Sequence, residues 1–88
     1  MNSPHYQFIK SLINNRKRLI RMKKSFKNEM QCLQIIKKLQ IHVDAYGDKW
    51  NEENWKQFYK MNYDRIQFLI PANSAQENFT KQLNQLIQ

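Results

Sequence analysis

The residues with the clearest chemical potential lie between Arg16 and Lys27, where seven of twelve positions are Lys or Arg. No Asp or Glu precedes Glu29. A run of cations without interleaved acids cannot neutralise itself through i,i+4 pairs, so an external anion is what relieves its repulsion. The chemistry this suggests is electrostatic capture. Phosphate backbone is the commonest such anion, because each neutralised phosphate also releases a condensed counterion. The candidate nucleic-acid contacts are Arg16, Lys17, Arg18, Arg21, Lys23, Lys24 and Lys27, with Lys17, Arg21 and Lys24 central. No base-reading motif accompanies them, so neither DNA nor RNA is singled out. An acidic protein surface would satisfy the same cations, which makes an inhibitor or adaptor docking on a partner the alternative.

Catalytic chemistry has less to work with. His42 and Asp44 are two apart, so on a helix they diverge, and no third partner for a triad is in view. A single glycine, Gly47, cannot build a phosphate loop. Two histidines and one cysteine, far apart, do not make a closed zinc site. Cys32 reads as a small buried residue, with no disulfide available to it inside the chain. The expectation is a protein that is not an enzyme and holds no cofactor or metal. Among the aromatics, Trp55 and Tyr59 have the spacing of core residues, while Tyr63 lies off their stripe and is the better candidate for stacking on a base.

The elements that would position these cations are helices. Ser3-Pro4 suits a helix start, and neither Pro nor Gly recurs before Gly47. That interval is long enough for one very long helix or two shorter ones, with a kink near Asn14-Asn15 or past Ile36. Phe8, Leu12, Leu19, Met22, Phe26, Met30, Leu33 and Ile36 share one face, and Lys17, Arg21 and Lys24 fall nearly opposite. A second row of Ile9, Ile13, Ile20 and Ile35 lies off this stripe. It is covered either by the rest of the chain or by a second subunit, and a homodimer is expected. Ile41–Tyr46 alternates like a strand but has no partner, so it reads as a last helical turn closed by Gly47 in the left-handed conformation.

Asn51 then caps a helix with Glu52 and Glu53 in its first turn, and Trp50 and Trp55 form a hydrophobic staple across the cap. Pro71 ends that helix. Ser74-Ala75-Gln76-Glu77 is a capping box for a final helix burying Phe79, Leu83 and Leu86 or Ile87. The fold expected is a small all-α hairpin or bundle of three to four helices, one domain over residues 1–88, with a long basic N-terminal helix.

The 88 residues carry a formal charge of +8. Residues 1–43 hold ten Lys/Arg against one acid, and residues 44–88 hold five against six, so the excess is localised. No apolar run reaches membrane-span length. A surface-lying amphipathic helix over residues 8–27 is possible, but the domain needs that stripe for its core. The N-terminus shows no secretory pattern, and Asn78-Phe79-Thr80 is a chance sequon match. A cytoplasmic location is expected.

Overall fold

A computed structural model of the protein describes residues 4–22, 28–72 and 74–88. Among these residues there are five helices and no strand: α1 (Pro4–Arg21), α2 (Glu29–Tyr46), α3 (Glu52–Met61), α4 (Tyr63–Leu69) and α5 (Gln76–Ile87). The all-helical class is as expected. The count of three to four and the single long basic N-terminal helix are not what the described residues show. Two helices of 18 residues each are described in that interval, unbroken at Asn14-Asn15 and past Ile36; α1 ends at Arg21 and α2 begins at Glu29.

The expected apolar stripe is buried in part: Phe8, Leu12 and Ile36 are core, while Leu33 is exposed. α1 buries His5, Phe8, Ile9, Leu12, Ile13 and Arg16, and α2 buries Cys32, Ile35, Ile36, Leu39 and Val43. Met22 and Met30, expected inside, are 57% and 70% exposed. Because α1 packs against α2, α4 and α5, it is covered on two sides, and the second isoleucine row is core. Ile9, Ile13 and Ile35 are buried and Ile20 packs at the core's edge, so the row from which self-association was expected is used within the chain.

α1 and α2 run antiparallel. Tyr6 near the start of α1 sits against Gly47 at the end of α2, and Ile20 and Leu33 line one groove at the opposite ends. Gly47 is right-handed, at φ −53° and ψ −38°, with its N–H donating to the Val43 carbonyl at 2.9 Å. Glycine is therefore not here for a left-handed cap. A Cβ at this position would stand 2.5 Å from the Val43 oxygen, too close for any side chain.

The cap at Asn51 forms as expected. Its side chain accepts from the Asn54 N–H at 2.9 Å, and Asn54 Oδ1 accepts from the Asn51 N–H at 3.3 Å. The Trp50 and Trp55 rings meet edge-on across it, 4.9 Å apart. The helix then breaks at Asn62, whose Nδ2 donates to the Phe58 carbonyl at 2.9 Å. This side-chain bond supplies an end to α3 where the apolar periodicity ran on unbroken. α4 stops at Leu69, and Ile70 is extended before Pro71. The Ser74 capping box does not form: α5 starts one residue late, with Ala75 in the cap position. Phe79 and Leu83 of α5 are buried as expected.

Candidate nucleic-acid interface

Three of the candidate cations, Lys17, Arg18 and Arg21, stand exposed on the last turns of α1. Arg18 and Arg21 lie where the helix dipole is negative, so the free helix tolerates them there. Among the described residues no acid is paired with any of the three. Lys17 and Arg21 wall a groove of about 340 Å³ between α1 and α2, with Asn14, Ile20 and Leu33 as its other lining. No acid lines it. Lys23, Lys24 and Lys27 lie outside the described residues.

Arg16 is a correction. It is only 6% exposed, and its guanidinium is spent on the end of α4: Nε donates to the Leu69 carbonyl at 3.0 Å and Nη2 to the Phe68 carbonyl at 3.2 Å. The last carbonyls of a helix have no partner inside it, and a cation both satisfies them and meets the dipole's negative end. Arg16 is thus a structural cap in this fold, turned inward.

The fold adds cations that spacing along the chain did not group. Lys38 of α2 and Arg65 of α4 share a second notch, of about 240 Å³, with Gln31, Gln34 and Ile35. They are too far apart in sequence for any helical period to link them. Only the packing of α4 on α2 does so.

Elsewhere the polar groups are tied into structure. His5 is buried, stacked on Trp55 at 5.1 Å. Its Nε2 meets Glu52 Oε1 and its Nδ1 meets the Tyr59 hydroxyl, each at 2.9 Å. A carboxylate can only accept, so Nε2 carries the proton, and in the neutral ring Nδ1 accepts from Tyr59. Burial, and then the Glu52 charge, push the Tyr59 hydroxyl well above the usual tyrosine range. An acid–histidine–hydroxyl chain is a catalytic pattern, yet here the hydroxyl is sealed in the core, where no substrate reaches it. It pins the start of α1 to α3. Its signal in the sequence is a histidine in the first turn of a helix, which spacing along the chain does not link to Glu52 or Tyr59.

His42 Nδ1 donates to the Lys38 carbonyl at 2.9 Å, and Asp44 accepts from Gln40 at 2.9 Å, so the two do not converge. Cys32 is buried, and burial pushes its thiol up while the Arg16 charge pulls it down. Trp55 and Tyr59 are core; Tyr63 is half-buried, its hydroxyl accepting from Gln67 at 2.8 Å. Among the described residues no three His, Cys, Asp or Glu come together, and no helix is long and apolar enough to cross a membrane.

Comparison with protein-family models, curated proteins and solved structures finds no match to this chain. Its function is therefore argued from its own geometry.

Proposed function

We propose that this is a non-enzymatic regulatory or accessory protein that binds the phosphate backbone of nucleic acid. Lys17, Arg18 and Arg21 make the described part of the contact, and Lys23, Lys24 and Lys27 extend it along the chain. The observation that carries the reading is three exposed cations on consecutive turns with no acid paired to them. Each is held on a helix whose opposite side is locked in the core, so they are presented together at little entropic cost.

The test is a gel-shift series at rising salt with the Lys17→Gln/Arg18→Gln/Arg21→Gln variant beside the wild type. Each lost phosphate contact lowers the salt slope by about 0.9 on duplex or about 0.7 on single strands. The loss is similar across unrelated sequences, because backbone contacts carry no base information. A folded variant with an unchanged slope shows the cations to be plain solvated surface. An adaptor for an acidic protein would instead show only weak nucleic-acid binding in the wild type, easily removed by salt.

A further inference from the structure

Resting on that reading, we infer that the protein takes single-stranded nucleic acid in preference to duplex, lodging an unpaired base in the groove between α1 and α2. The groove offers more than charge. Its apolar lining is Ile20 and Leu33, its cationic lining is Lys17 and Arg21, and Asn14 supplies an amide. At about 340 Å³ it has the size of a small-molecule pocket and room for a nucleobase. Met22, which follows Arg21, and Met30, one helical turn before Leu33, are 57% and 70% exposed.

A duplex cannot use this surface well. Its base faces are stacked away, and what it presents to a pair of convex helices is a ridge of phosphate and sugar. Ile20 and Leu33 would lose water against charge and gain no apolar contact. A single strand carries an exposed base face one backbone step from each phosphate. Its phosphate meets Lys17 or Arg21 while the base covers Ile20 and Leu33, the combination of cationic track and apolar platform that single-strand binders use. The platform is aliphatic, which holds a base by its face and not by its edge, so sequence preference is weak.

Charge alone predicts the reverse. Duplex DNA has the higher linear charge density and releases more counterion per contact, so a merely basic surface prefers it. Fluorescence anisotropy on the full chain separates the two, using labelled oligo-dT, oligo-U and a mixed-sequence duplex of about 20 nucleotides each at fixed salt. The expected result is single-strand binding about tenfold tighter than duplex binding. Leu33→Gln, at a half-exposed site, keeps the helical circular dichroism and weakens single-strand binding about three- to tenfold, leaving duplex affinity unchanged. Duplex binding as tight as single-strand binding, or a Leu33→Gln variant with undiminished single-strand affinity, overturns the inference and leaves the phosphate reading standing. Binding to none of the three probes overturns both.

Discussion

Arg16 and Lys17 are neighbours in sequence with opposite fates, and their substitutions separate structure from function. Arg16→Met keeps the bulk but strips both donors from the Leu69 and Phe68 carbonyls. A buried charge-assisted pair lost in this way costs about 2–3 kcal/mol, read from the urea midpoint. Arg16→Lys does not restore it, since one ammonium cannot span the fork of two carbonyls. Lys17→Gln, on the exposed side, changes stability by less than about 0.5 kcal/mol, and on the proposed function its effect would be in binding. Tyr59 gives a pH test. Tyr59→Phe leaves His5 Nδ1 buried without its donor, at a cost of about 1–3 kcal/mol near neutrality. Burial keeps the folded hydroxyl protonated where the unfolded chain's tyrosine ionises, so its contribution is intact below about pH 10 and lost as pH rises beyond it. Urea midpoints for Tyr59→Phe therefore start lower and fall less steeply between about pH 10 and 11.

At the scale of elements, the ends of helices carry most of the information. Asn51, Asn54 and the two tryptophans start α3 by local bonds alone. The junction of α2 with the following turn is different, because Gly47 is right-handed and yet irreplaceable by size. Helix propensity predicts that Gly47→Ala stabilises by about 1 kcal/mol. The 2.5 Å approach of a Cβ to the Val43 oxygen predicts destabilisation instead, as the backbone must shift to relieve it. We expect a loss of about 1–3 kcal/mol, the range for overpacking, visible as a lower thermal midpoint. A gain would place the close approach below propensity in weight.

Across the whole molecule, α1 is the shared wall. α2, α4 and α5 all pack on it, and its exposed last turns lie in the strongly cationic half of the chain. A net charge of +8 in a domain of 37 × 24 × 23 Å works against folding through self-repulsion. Screening lowers that penalty, so the urea midpoint of the free protein rises between about 10 and 150 mM salt. On the proposed function, bound nucleic acid would relieve the same repulsion and stabilise the fold most at low salt. A midpoint that is flat with salt would show the excess charge to be already balanced across the surface.

What the sequence determined by itself is whatever depends on neighbours a few positions apart. The helical class, the Asn51 cap, the tryptophan staple, the stop before Pro71 and the localised charge all belong there, because each is a matter of short-range bonds or simple counting. What the tertiary structure decided is phase. α1 carries two apolar rows, and periodicity alone cannot say that both are buried within one chain. Packing against three other helices buried Ile9 and Ile13 and left Met22 outside. The same choice turned Arg16 inward, toward carbonyls 52 and 53 residues away. It also placed Lys38 and Arg65 on one notch, and Ile20 and Leu33 in one groove with two cations. A local pattern records that a side chain will be on a face, and only the partner across that face settles whether it meets protein or water.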